Sequence, residues 1–258
     1  MSICCVLGLG YIGLPTAAVL ARAGHSVIGV DVNAQVVATV NRGQIHIVEP
    51  DLDRAVADAV ASRALIAQLT PSPADVFLIA VPTPFRSGVD GIPQPNIDYV
   101  MSAAHAIAPA LRPGNLVLLE STSPVGTTER VAKVIEDLTG LNNEQLHIAY
   151  CPERVLPGRI LQELVSNDRV IGGLTPAASE TGKAFYASFC QGKLLTTTAR
   201  TAELVKLTEN CFRDVNIAFA NELSLVCDRL AINVRELIRL ANHHPRVNVL
   251  QPGCGVGG

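Results

Sequence analysis

Ile3-Cys4-Cys5-Val6-Leu7-Gly8-Leu9-Gly10-Tyr11-Ile12-Gly13 is the stretch that decides the fold of this chain. Its first five residues are apolar without alternation, the pattern of a strand covered on both faces. The glycines then open a turn into a helical stretch, Pro15–Ala23. In such a strand–turn–helix, Gly8 permits the tight turn, Gly10 lets backbone approach a pyrophosphate, and Gly13 allows close helix–strand packing. Backbone amides of this loop, Tyr11 and Ile12 included, lie at the positive end of a helix dipole, where phosphate oxygens are held. Asp31 comes in the next apolar run, Val27–Val32, and its carboxylate suits a ribose diol. The same carboxylate repels a 2′-phosphate, so the expected cofactor is NAD and not NADP.

Further runs of the same kind, Val76–Val81, Leu116–Glu120 and His147–Tyr150, alternate with helical stretches at Ala34–Asn41, Leu52–Ser62, Ile97–Leu111 and Thr127–Leu138. That order predicts an α/β domain with a doubly wound, Rossmann-type parallel sheet over residues 1–195. Beyond it the texture changes. Residues 201–230 contain no proline or glycine and carry apolar side chains at helical spacing. The expectation for 196–258 is a long connecting helix that pairs two subunits into a homodimer, then a short helix, Val234–Asn242, and a terminal loop.

Composition excludes several function classes. The chain has 258 residues, a net charge of −3, 4% aromatic residues and no tryptophan. Neither a basic stripe nor a stacking platform for nucleic acid is present. No run reaches the roughly 18 apolar residues of a membrane span, and no signal peptide opens the chain. We therefore expect a cytoplasmic protein. The seven cysteines show no C-x-x-C spacing, and neither a disulfide framework nor a metal site is expected. His243 and His244 have no third ligand spaced to join them.

Several segments are more particular than a generic dinucleotide domain. They are Val81-Pro82-Thr83-Pro84, Glu120-Ser121-Thr122-Ser123-Pro124-Val125-Gly126-Thr127, Cys151-Pro152-Glu153-Arg154, Lys206-x-x-x-Asn210 and His244-Pro245-Arg246-Val247-Asn248. In this order the chain resembles the N-terminal part of the UDP-glucose/GDP-mannose dehydrogenase family. Pro157 stands where the UDP-glucose enzymes carry a second glutamate, which favours the N-acetylhexosamine branch.

The resemblance implies oxidation of a sugar C6 alcohol to a carboxylate with two NAD⁺, on a UDP-N-acetylhexosamine substrate. It implies that Lys206 and Asn210 hold the C6 oxygen and that Glu153 assists hydrolysis of a thioester. Thr122 then positions water and, with Pro82 and Thr83, lines the nicotinamide and pyrophosphate cleft. Arg154 and Arg246 become candidate substrate contacts, Arg246 by reaching a neighbouring subunit. Read from the residues alone, Glu153 is equally a loop carboxylate beside Arg154, and Lys206 a surface lysine.

The glycine-rich run Gly253-Cys254-Gly255-Val256-Gly257-Gly258 suits backbone that bends sharply near a ligand. In the family this turn leads, after one more residue, to a nucleophilic cysteine and then to a C-terminal UDP-binding domain. Neither is among these residues, so we expect a longer chain and a fragment that binds NAD without turning over sugar nucleotide. Cys254 stands too early to substitute. Three alternatives stay open: a UDP-N-acetylglucosamine or UDP-glucose enzyme, a β-hydroxyacid dehydrogenase, and an NAD-binding assembly protein without catalysis.

Overall fold

Along the chain run β1 (Ile3–Leu7), α1 (Gly13–Arg22), β2 (Ser26–Val30), α2 (Ala34–Asn41), α3 (Leu52–Ala61), β3 (Leu65–Gln68) and β4 (Val76–Ile79). A short hairpin, β5 (Phe85–Ser87) and β6 (Pro93–Pro95), precedes α4 (Asp98–Ile107), β7 (Leu116–Leu119), α5 (Thr127–Thr139) and β8 (His147–Tyr150). Then come α6 (Ile160–Ser166), β9 (Arg169–Gly173), α7 (Pro176–Tyr186), β10 (Leu194–Thr198), α8 (Ala199–Arg229) and α9 (Val234–Ala241). The computed structural model describes residues 1–88 and 91–255. It divides into two compact units, Met1–Leu204 and Val205–Gly258. Val256, Gly257 and Gly258, the end of the glycine-rich run, lie outside the described residues.

In the first unit eight strands form one sheet in the order β10-β9-β8-β7-β4-β1-β2-β3. From β3 to β8 every neighbouring pair is parallel, as expected of a doubly wound fold. β9 departs from this: it pairs antiparallel with β8, and β10 follows it in parallel. All four residues of β4 and of β7 are buried, which is why their sequences do not alternate. Cys4, Val6, Leu78, Leu118 and Ala149 pack in one cluster with residues of α1, α3, α6 and α7. The opposite face is closed by α4 and α5, through Val100, Ile107, Val131 and Ile135.

Two connections owe their shape to buried carboxylates. Glu49, 5% exposed, accepts from Gly158 N (2.8 Å) and Ile160 N (2.7 Å). It thereby caps α6, whose own N-cap residue Arg159 makes no side-chain cap bond. Glu203, with no exposed surface, does the same for α5, accepting from Gly126 N, Thr128 N and Thr128 Oγ1 at 2.6–2.8 Å. Charge-assisted bonds of this number offset much of the cost of burying an ionised group.

In the second unit, α8 continues past residue 205 and α9 packs with Ile238 buried. Asn233 caps α9 by accepting from Arg235 N and Glu236 N. The loop after α9 closes on Asn242, whose side chain donates to Val249 O (2.9 Å) and accepts from Val249 N (2.7 Å). No helix among the described residues is long and apolar enough to cross a membrane.

His25 ties the start of the chain to α7 and gives the first unit a pH-dependent joint. Ser2 N donates to Nδ1 (3.3 Å), so the ring proton sits on Nε2 and is donated to Ser188 Oγ (2.9 Å). Burial, with the N-terminal ammonium second, lowers its pKa from the ordinary 6.5. The folded chain therefore binds fewer protons at this ring than the unfolded chain. The joint's stability is complete above the unfolded value and is lost as pH falls through the folded one. We predict that Tm falls between neutrality and pH ~5 by more in the natural protein than in His25→Gln. Equal falls in both would remove His25 from the account.

Candidate active site

The strand order reverses at β1. Its successor β2 lies on one side and β4 on the other, so the ends of β1 and β4 bound a crevice at the carboxyl edge of the sheet. Gly8 sits in that crevice with φ +87°. A Cβ there would stand 2.7 Å from Ala80 O and 3.1 Å from Val81 Cα. A Cβ on Gly13 would collide with the carbonyl oxygen of Gly8. Both glycines are thus demanded by the protein's own packing. Gly10 is different: a Cβ there meets nothing within 4 Å. The space over it is open, so this glycine is not required by the protein's own packing.

Tyr11 is exposed, Ile12 is half-buried, and Ile12 as N-cap offers α1 no side-chain acceptor. The first turn of α1 also contains no acidic residue. Leu14 N already donates to Gly10 O (3.1 Å) and Pro15 has no N–H, so an anion at this helix start would be held by the loop amides that precede Leu14. Asp31 follows β2, and its Oδ2 accepts from Leu9 N (3.0 Å) while Oδ1 accepts from Asn33 N (2.9 Å). One carboxylate therefore holds the glycine loop against the start of α2 and retains lone pairs for a diol. The residues fit a dinucleotide.

The next two loops along the edge are tied together. Thr83 Oγ1 donates to Thr122 O (2.7 Å), and Ser121 Oγ donates to Val81 O (2.7 Å). Pro82 is exposed beside Thr83, while Thr83 and Thr122 are half-buried. Glu153 and Arg154 follow β8 on the adjacent loop. Glu153 Oε2 accepts from Val155 N (3.3 Å), and Arg154 Nη1 donates to Asp168 O (3.1 Å). Gly8, Gly10, Tyr11, Ile12, Asp31, Pro82, Thr83, Thr122, Glu153 and Arg154 lie in loops at the carboxyl ends of β1, β2, β4, β7 and β8, and Gly13 opens α1 beside them.

Lys206, Asn210 and Arg246 belong to the second unit. Lys206 is buried, and Asn210 lies four residues on along α8, on the same helix face. Gly253 exchanges two hydrogen bonds with Asn221, at 2.9 and 2.8 Å. Gly255 (φ +86°) lies against Asp214, where a Cβ would stand 2.7 Å from Oδ1. Segment 253–255 therefore runs along α8 back toward Asn210. Arg246 is exposed at the tip of the loop that Asn242 closes, and its N–H donates to His244 Nδ1 (3.3 Å).

Residues 1–190 match the UDP-glucose/GDP-mannose dehydrogenase family, NAD binding domain, and residues 200–258 match the same family's central domain. The chain belongs to the UDP-glucose/GDP-mannose dehydrogenase family. A UDP-N-acetyl-D-mannosamine dehydrogenase of Yersinia pestis is 59% identical over 98% of this chain and 61% of its own length. An NDP-N-acetyl-D-galactosaminuronic acid dehydrogenase of Ralstonia nicotianae is 57% identical with the same coverage. The structure of a UDP-D-ManNAc dehydrogenase from Pyrococcus horikoshii superposes with a TM-score of 0.93 at 44% identity, over 99% of this chain and 61% of that one. The chain thus spans about three-fifths of the length of the relatives it matches.

Residues that motif reading did not single out support this site from below. Glu49 and Glu203 anchor two of its loops. Glu120 lies buried under Thr122, accepting from Tyr186 Oη at 2.7 Å with Arg169 Nη1 at 3.9 Å. Burial raises its pKa, and Arg169 opposes that rise. Arg169 also stacks over the Tyr186 ring, 4.5 Å from its centroid. In the sequence this cluster showed as Glu120, charged at the end of an apolar run and first in one of the quoted segments.

The three glycines separate packing from binding. Gly8→Ala and Gly13→Ala are each predicted to cost more than about 2 kcal/mol, through a left-handed backbone or a backbone collision. Gly10→Ala leaves stability unchanged or raises it by up to ~1 kcal/mol. Its NAD⁺ affinity falls at least about tenfold. Urea unfolding and calorimetric NAD⁺ titration read the two effects, and unchanged affinity in Gly10→Ala would place the pyrophosphate elsewhere.

Proposed function

We propose that these residues form the cofactor half of a UDP-N-acetyl-D-mannosamine dehydrogenase, working as an NAD-dependent UDP-sugar 6-dehydrogenase in the supply of polysaccharide precursors. The observation that carries this reading is the open space over Gly10 at the start of α1, beside Asp31. Family membership sets aside the β-hydroxyacid alternative. Two relatives named for different nucleotide-linked N-acetylhexosamines, at 59% and 57% identity, support the sugar class more firmly than its stereochemistry.

In this reading NAD⁺ bound at the glycine loop accepts hydride from the sugar C6. Lys206 and Asn210 hold the C6 oxygen and stabilise the charge that develops there. Glu153 assists hydrolysis, Thr122 positions the water, and Arg154 and Arg246 contact substrate. We read the working division as residues 1–195 for cofactor and 196–258 for subunit pairing and active-site loop, in a cytoplasmic enzyme.

Assayed alone, the 258-residue chain is predicted to bind NAD⁺ without oxidising sugar nucleotide. The resemblance supplies the thiolate from a cysteine that is not among these residues, and the nucleotide-binding part is needed to orient C6. NAD⁺ at one hundred times its Kd adds about 2.7 kcal/mol of stability, visible as a rise in Tm. The absence of any rise would sink the cofactor reading. NADH formed from UDP-N-acetyl-D-mannosamine by this chain would refute its incompetence.

Pairing into a homodimer through α8 belongs to the same proposal. Phe212, Val215, Phe219, Val226 and Leu230 are all exposed and share one stripe of that helix, with half-buried Leu223 among them. The stripe lies about half a turn round the helix from Lys206 and Asn210. Phe219→Asp with Val226→Asp is predicted to yield a monomer in sedimentation velocity. A monomeric parent chain at micromolar concentration would contradict the pairing.

A further inference from the structure

We propose that Glu203 is a positioning residue for the cofactor, acting through the loop that carries Thr122. This rests on the reading that Thr83 and Thr122 face the bound dinucleotide.

Residues 121–128 leave the end of β7 and enter α5 without an internal cap. Gly126, the residue in the N-cap position, has φ +93° and no side chain to offer. Glu203 supplies the missing acceptor from the first turns of α8, 75 residues away in sequence from Thr128. Its Oε2 accepts from Gly126 N (2.6 Å), and its Oε1 accepts from both Thr128 N (2.8 Å) and Thr128 Oγ1 (2.7 Å). The carboxylate also faces the positive end of the α5 dipole. Beside it Arg200 donates through Nε and Nη2 to Glu129 at 2.7 and 2.9 Å, a second tie between the start of α8 and α5.

The loop is thus pinned at both ends. At its start Ser121 Oγ donates to Val81 O and Thr83 Oγ1 donates to Thr122 O. At its end Glu203 accepts from the two amides named above. Without it those amides lose their acceptor, and the loop populates conformations in which Thr122 O no longer holds Thr83. A protein whose binding-competent form is partly populated binds with its affinity reduced by that fraction. Glu203 touches no cofactor in this scheme. It raises the competent fraction.

The test compares NAD⁺ binding by calorimetry in the 258-residue chain, Glu203→Ala, Glu203→Gln and Thr175→Ala. Thr175 caps α7, accepting from Ala178 N at 3.1 Å, and lies outside the cofactor loops. Its variant controls for the general loss of a cap. We expect Glu203→Ala to weaken NAD⁺ about fivefold and to speed exchange of the Gly126 and Thr128 amides. Thr175→Ala should lower Tm with NAD⁺ affinity unchanged. Glu203→Gln keeps one acceptor oxygen but turns an amide donor toward a backbone N–H, so its affinity falls between those of the natural protein and the alanine variant. Should Glu203→Ala not fold, the glutamine variant decides alone. Natural NAD⁺ affinity in a folded Glu203 variant, or equal weakening in Thr175→Ala, would overturn the inference. Failure of the unsubstituted chain to bind NAD⁺ would overturn the cofactor reading itself, and this inference with it.

Discussion

Between the ends of β1 and β4 there is no room for a side chain, and the first unit is organised around that fact. Gly8 N donates to Val30 O and Ala80 N donates to Leu7 O, at 2.8 and 2.9 Å, so three strand ends converge within one turn of backbone. The turn must then reverse with positive φ and deliver α1 directly behind it. A Cβ on Gly13 would collide with Gly8 O, so the helix start sits hard against the turn. The N-terminus of α1 consequently faces the crevice where the sheet order reverses.

A second rule governs the other loops of the edge. Three carboxylates, Asp31, Glu49 and Glu203, each accept from at least two donors, and most of those donors are backbone amides near helix starts. A carboxylate that accepts several hydrogen bonds holds its partners more stringently than an apolar contact. Moving a donor leaves both an unsatisfied amide and an unsatisfied charge. Loops that carry functional side chains are usually the mobile parts of a fold. Here their ends are held by these carboxylates.

These two rules differ in how far they could be read in advance. β1, β8 and α2 have the bounds their sequences suggest, because a solid apolar run or a helical stretch between turn residues is a local signal. β9 and β10 gave no such signal. β9 opens on Arg169, a charge held in the core by Leu164 O, Glu120 and the Tyr186 ring. β10 ends in three threonines on an edge where packing asks for little. α6 is seven residues long and depends on Glu49, which lies more than a hundred positions earlier. The glycines of the cofactor loop were legible because conformation is a property of the residue itself. Glu49 and Glu203 were not, because their roles exist only once distant segments have met.

The same distinction bears on the cysteines. Cys151 opens the Cys-Pro-Glu-Arg segment and stands beside the candidate hydrolytic glutamate, which makes it the natural suspect for covalent chemistry in the first unit. It is fully buried, and burial pushes its thiol up to about 11, with Glu120 adding to the rise and Arg169 opposing it. Cys4 and Cys5 are raised in the same way, to about 12 and about 11. A thiol so placed is protonated at neutral pH and sealed from solvent. The guanidinium that might have activated Cys151 is also engaged by Glu120 and the Tyr186 ring. The arrangement around Arg169 therefore serves the junction of β7, β8, β9 and α7.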